Sequence, residues 1–152
     1  MSILPLANSY KKVNTKCGSS EVFKMVIKVL RIDKDFVKIP LVKGGFAKAI
    51  VWPGMGAKYG SLNYFLMKPG QENVPHVHEK SEDIFYIAQG KGVAVDVDNN
   101  IEHPIEKGCV VYVEPGTTHT MKSSGPEDYI SIGGPCPPDP KSYKGMKPQQ
   151  KE

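Results

Sequence analysis

Arginine is nearly missing from this chain: of its 20 basic residues, Arg31 is the single arginine and the rest are lysines. Proteins that read nucleic acid rely on arginine for forked contacts to guanine and phosphate. The lysines here are scattered rather than clustered, so a net charge of +4 reads as a solubilising surface and no nucleic-acid partner is expected. The same shortage argues against a forked clamp on a phosphate or a dicarboxylate. Long apolar runs are missing too. Nothing approaches the ~20 residues that a membrane span needs, and Met1 to Lys12 lacks the apolar core of a signal sequence. Cysteine is scarce: Cys17, Cys109 and Cys136 form neither a CxxC pair nor an even framework, which favours reduced, structural thiols. These absences point to a cytoplasmic protein with no membrane partner.

The 152 residues suffice for one domain with one sizeable core. The 15 glycines and 13 prolines supply the many turns that a fold of short strands requires. Residues 1–20 are polar and irregular. Residues 21–32, EVFKMVIKVLRI, fit a helical and a strand spacing, and their β-branched content tips them toward strand, with a turn at the following Asp-Lys-Asp. From residue 44 onward, short apolar runs alternate with turn residues: FAKAIVW (46–52), LNYFLM (62–67), DIFYIA (83–88), GVAVDV (92–97), CVVYV (109–113) and YISIG (129–133). Strands at this spacing, without a convincing helix between them, predict an all-β sandwich or barrel. The expected division is an N-terminal extension over 1–43 that adds to the sheet or to a dimer interface, a barrel over 44–134, and a Pro/Lys-rich arm or tail over 135–152 that packs no core.

The chemistry sits with the histidines. His76 and His78 are two residues apart, so on a strand they share a face and their rings can meet on one metal ion. An acidic stretch with Glu79, Glu82 and Asp83 follows, and His119 lies just beyond a Pro-Gly turn. Spacing alone leaves this pair open between metal binding and an ordinary surface or core role. His103, beside a hairpin and before a proline, reads as a solvated loop residue. Cys109 reads as a small buried thiol, and Trp52, Phe65, Phe85 and Tyr86 read as core.

GQENVPHVHEKSEDIFYIAQG (70–90) resembles the first cupin motif, and GCVVYVEPGTTHTMKS (108–123) resembles the second. The two stand in order, 17 residues apart, in a likeness covering about residues 60–133. The resemblance implies a double-stranded β-helix, the jelly-roll barrel of the cupins. It also implies one divalent metal ion (Mn, Fe, Zn, Ni or Cu) in the barrel mouth, held by His76, His78 and His119. The fourth ligand in that family is usually Glu. Counting back from Gly90 lands on Asp83, whereas Glu82 has the usual side chain one residue out of register. Asp83 is favoured, and it faces inward together with Phe85 and Ile87; a three-histidine site is the remaining alternative. Ser123 stands where Asn is common.

A metal with three or four protein ligands keeps positions open for water, dioxygen or a chelating substrate. The first functional expectation is a metal-dependent enzyme acting on a small, largely apolar organic molecule, of dioxygenase, isomerase, lyase or cyclase type. The segments SEDIFYIAQG and ISIGGPCPPDP are similar to small cupins implicated in polyketide cyclisation. The alternative is a non-catalytic metal or small-molecule binding or sensor module. Exposed barrel edges need covering, which predicts a homodimer with residues 21–51 at its interface.

Overall fold

In a computed structural model, residues 27–147 are described. They form nine strands and two 3-10 turns, with no α-helix among them. The strands are β1 (Val37–Ile39), β2 (Ala47–Val51), β3 (Leu62–Met67), β4 (Glu82–Gln89), β5 (Lys91–Asp96), β6 (Ile101–Glu106), β7 (Val110–Val113), β8 (His119–Ser123) and β9 (Tyr129–Cys136). One sheet runs β1-β2-β3-β9-β4-β7 and the other β6-β5-β8, all pairs antiparallel. Isolated bridges Glu72↔Lys122, His76↔His119 and Val42↔Asn73 extend the second sheet beyond β8. The two layers close into the double-stranded β-helix. No described helix is long and apolar enough to cross a membrane.

Alternation builds the core. Along β4 the odd-numbered residues Asp83, Phe85 and Ile87 are buried and the even-numbered ones through Tyr86 are exposed, so Tyr86, expected in the core, faces outward instead. Phe85 meets Phe65 of β3 edge to face at 5.5 Å, in the preferred geometry of an aromatic pair. Met67, Met121 and Tyr129 complete the same cluster.

Several elements differ from the sequence reading. Residues 27–31 carry no regular structure, and Ile27 and Val29 are almost wholly exposed, so the strand expected over 21–32 is absent from its described part; residues 21–26 lie outside the described residues, as does Cys17. The turn after it does form, with Lys34 N and Asp35 N donating to Arg31 O. β6 (IEHPIE) was not anticipated, since proline and charge argue against a strand interior. It lies at a sheet edge, where a missing N–H costs no ladder bond. His103 is therefore a strand residue and not a loop residue, although it is solvent-exposed. The Pro/Lys-rich segment also packs more closely than its composition suggests. β9 runs on to Cys136, a 3-10 turn spans Pro140–Tyr143, and Tyr143 is buried against Trp52 with ring centroids 6.2 Å apart. Its hydroxyl is hydrogen-bonded to the Asn63 amide at 3.2 Å.

The tightest point of the sheet is Gly133, between β3 and β4. A Cβ there would collide with the carbonyl oxygen of Ile84 and stand 2.7 Å from Phe85 Cα. Both are backbone atoms fixed by the ladder and cannot swing aside. Gly60, by contrast, has open space around it. Gly133→Ala should lower stability by about 3 kcal/mol or prevent folding, whereas Gly60→Ala should stay within about 1 kcal/mol. Urea unfolding midpoints of the two variants check this.

Candidate metal centre

Backbone pairing brings two histidines from distant parts of the chain together. His76 N donates to His119 O (3.1 Å) and His119 N to His76 O (2.9 Å). Residues that exchange both bonds stand directly opposite one another with side chains on one face, and their ring centroids are 4.5 Å apart. His78 follows two residues later, its ring 4.9 Å from that of His76. The Pro-Gly turn of the second motif fixes it, because Gly116 N donates to His78 O at 2.8 Å. Gly116 holds a φ of 86°, which suits glycine. Asp83 reaches in from β4 of the opposite sheet. One ligand atom from each of His76, His78, Asp83 and His119 can be chosen so that all lie within 4.8 Å of one another. Glu82 points outward instead and accepts a hydrogen bond from the Tyr112 hydroxyl at 3.1 Å.

The outer ring nitrogens are all engaged with acceptors. Nδ1 of His76 faces Val74 O at 2.8 Å, Nδ1 of His119 faces Thr117 O at 3.0 Å, and Nδ1 of His78 faces the Asp139 carboxylate at 2.7 Å. Each Nδ1 therefore carries the proton and donates it, which leaves each Nε2 with a lone pair directed inward. These nitrogens lie 4.0 Å (His76), 3.2 Å (His78) and 3.3 Å (His119) from Asp83 Oδ2. Three ring nitrogens and a carboxylate thus converge on one point. Asp83 is 1% exposed, and its Oδ1 has no hydrogen-bond partner among the described residues.

Such a cluster demands positive charge. Burial pushes the Asp83 carboxyl up, but His119 and His78 outweigh it and hold it below its ordinary value. Burial pushes His78 down, yet Asp83 and Asp139 together raise it above its usual range. His76, without an adjacent carboxylate as close, is lowered by burial and by the neighbouring His119. A divalent metal ion meets the same demand at all four groups at once. Ligand atoms about 2.1 Å from one ion lie about 3.0–3.5 Å apart when adjacent and about 4.2 Å apart when opposite, a range that contains the three separations to Asp83 Oδ2. Imidazoles with a carboxylate suit Mn, Fe, Ni, Cu or Zn. The His76 side chain is the most accessible of the four at 17%.

Asp139 was not identified from the sequence. It caps the 3-10 turn through Oδ1, which accepts from Lys141 N at 2.9 Å, and turns Oδ2 toward His78. The available signal was its setting, Pro137-Pro138-Asp139-Pro140. Prolines on both sides hold a carboxylate more rigidly than a frayed tail would. Cys109 is partly buried against the core, as a small apolar group would be.

With this geometry established, similarity to known proteins can be stated. The Cupin domain family matches residues 63–132, which together with the double-stranded β-helix fold supports a place in the cupin superfamily. An uncharacterised protein of Methanocaldococcus jannaschii is 28% identical over 104 residues, 66% of this chain and 81% of that protein. An oxalate-binding protein of Thermotoga maritima is 34% identical over 62 residues, 41% of this chain and half of that protein's length. The structure of the polyketide cyclase RemF from Streptomyces resistomycificus superposes with a TM-score of 0.59 at 23% identity, covering 80% of this chain and 94% of that one. At that identity the likeness speaks for the fold.

Removing the Asp139 carboxylate should weaken metal binding about 10–100-fold, the usual effect of losing a partner that orients a ligand. Asp139→Ala should lose the most and Asp139→Asn less, since an amide oxygen still accepts from Nδ1–H. Zinc affinity by chelator competition, with circular dichroism to verify the fold, checks this.

Proposed function

We propose that this chain is a metal-dependent enzyme acting on a small, largely apolar organic molecule, with His76, His78, Asp83 and His119 as ligands of one divalent transition-metal ion. The observation that carries the reading is the convergence of three inward Nε2 lone pairs on a buried carboxylate, with every Nδ1 proton already committed elsewhere. Once bound, the ion supplies Lewis acidity, redox chemistry or a bound hydroxide. The protein's part is to hold the four ligands rigidly between two sheets and to limit access to one side. A cavity of about 220 Å³ adjoins His119 and is walled by Ala94, Val111, Val113 and Met121, which suits a small apolar body. The polyketide cyclase RemF shares the fold, one case within the wider set of dioxygenase, isomerase, lyase and cyclase reactions that this fold hosts.

A second reading is a non-catalytic binding or sensor module, favoured by the relative named as oxalate-binding. Oxalate itself fits this chain poorly. No lysine or arginine lines the cavity, while Asp96 and Glu114 do, so a dianion would depend on the metal alone.

The chain is further proposed to act as a cytoplasmic homodimer. Cys109 and Cys136 are free. The outer face of the larger sheet exposes Leu62, Leu66, Ile84, Tyr86, Val110 and Tyr112 by more than a third each, and Ile84↔Tyr112 and Tyr86↔Val110 are cross-strand neighbours. A contiguous apolar face of this kind favours a self-complementary interface. Light scattering should give a dimer at micromolar concentration, and Tyr86→Lys should convert it to monomer.

Elemental analysis of purified protein should find about one divalent ion per chain, and His78→Ala or His119→Ala should abolish it. Chelation should lower Tm by about 5–10 °C relative to protein in metal at 100 times Kd. Protons compete for the same lone pairs, so metal should dissociate as pH falls through about 6 to 5. Full metal retention at pH 4.5, or no metal at all, would sink the reading. Product formation from a candidate substrate would decide against the non-catalytic alternative.

A further inference from the structure

Three of the four histidines belong to the centre described above; the fourth, His103, is aimed at the same interior. In the register of β5 and β6, His103 stands opposite Ala94, and in that of β5 and β8, Ala94 stands opposite Met121. Cross-strand partners share a face of the sheet, and so do residues two apart on one strand. His103, Ala94, Met121 and His119 therefore all project to one side. Ala94 and Met121 are buried in the core, so that side is the inside of the barrel.

The position is open because of where β6 lies. It is the edge of the smaller sheet, β7 is the edge of the larger one, and the cavity beside the metal centre opens between them. His119 and His103 both line it. His119 is buried and His103 exposed, so the first marks the inner end and the second the mouth. From a strand spacing of about 4.8 Å and a rise of about 3.3 Å per residue, the two Cα atoms are roughly 12 Å apart. The two side chains project in parallel from one face of the sheet, so their rings stay a comparable distance apart and a two-ring molecule fits between them.

The His103 ring has no hydrogen-bond partner among the described residues, unlike the other three histidines. Its charged neighbour is Asp96, whose carboxylate oxygens are taken by Asn99 N at 3.1 Å and Asn99 Nδ2 at 2.8 Å. An imidazole offers an N–H donor in either protonation state. The acidic Asp96 and Glu114 at the same cavity, with no cation to offset them, disfavour an anionic ligand.

We propose that His103 is a ligand-binding residue. It donates a hydrogen bond to a carbonyl or hydroxyl oxygen at the far end of a neutral, elongated, largely apolar molecule whose near end meets the centre at His119. The proposal rests on the metal-centre reading and adds the second point of attachment and the neutral class of ligand.

Two probes of equal size separate the hydrogen bond from simple ring burial. Both 6,7-dihydroxycoumarin and 2,3-dihydroxynaphthalene present adjacent hydroxyls to a metal, shedding a proton there while the far ring stays neutral, but only the coumarin carries a distal carbonyl. Affinities are read from the visible spectrum of the cobalt(II)-loaded protein. The preference for the coumarin should fall about 5–10-fold in His103→Phe, the size of one hydrogen bond, and should be largely kept in His103→Gln, which retains a donor. In protein with labelled histidines, the His103 resonances should move with the coumarin and not with the naphthalenediol. A preference that is the same in wild type and His103→Phe overturns the assignment of His103 while leaving the metal reading intact. Failure of cobalt to load overturns the metal reading and this one with it; cobalt that loads but whose spectrum neither probe perturbs overturns this one alone.

Discussion

A carboxylate that is 1% exposed, faces three imidazole nitrogens and has one oxygen without a partner is the constraint around which this barrel is arranged. Burying an uncompensated carboxylate costs several kcal/mol. The chain accepts that cost near the start of β4, a strand hydrogen-bonded on both sides, by β7 and β9. Asp83 therefore cannot turn to solvent without the strand turning over and exposing Phe85 and Ile87. Compensation has to arrive from across the barrel, and the directly opposed His76–His119 pair delivers two imidazoles there through backbone bonds alone. Packing and site chemistry are thus enforced by the same ladder.

This coupling explains why the site was more legible in sequence than its surroundings. Period-two alternation in EDIFYIA sorts Asp83 with Phe85 and Ile87 and sends Glu82 outward with Ile84 and Tyr86, and the burial follows that pattern. The Pro-Gly turns could likewise be read, since they need particular backbone angles. Local pattern failed where a residue's role depends on a distant partner. IEHPIE has the composition of a loop and becomes β6 only because an edge strand tolerates proline and charge. EVFKMVIKVLRI has good strand composition, yet its described part finds no partner. Asp139 lies 61 residues from His78, and no local periodicity reports such a contact.

The C-terminal segment shows how composition can mislead. Pro-rich, Lys-rich sequence reads as a solvated arm, and most of its lysines are indeed exposed. Rigidity is what proline contributes here. The segment sets one carboxylate against His78 and one phenol against Asn63, and Tyr143 joins the core cluster. The metal centre and the core therefore share a wall outside the two motifs. Changes in this segment are felt at His78 through a single 2.7 Å contact and in packing through Tyr143.

Charge distribution connects these features to the kind of molecule the barrel can accept. The chain is basic overall, but its described lysines lie on the outside: those at positions 43, 68, 91, 122 and 141 pair with surface carboxylates. The cavity next to His119 is lined by carboxylates, imidazoles and a phenol, and by no lysine or arginine. A metal ion would supply the interior's fixed positive charge, and Asp83 already offsets part of it. An anionic ligand would then gain attraction at one point and lose it along the rest of the cavity. A neutral molecule with oxygen at its two ends and an apolar middle loses nothing there, because its body meets valine and methionine and its ends meet the centre and an imidazole. The near-absence of arginine and the placement of His103 thus bear on the same property, an interior that selects its ligand by shape and hydrogen bonding rather than by charge.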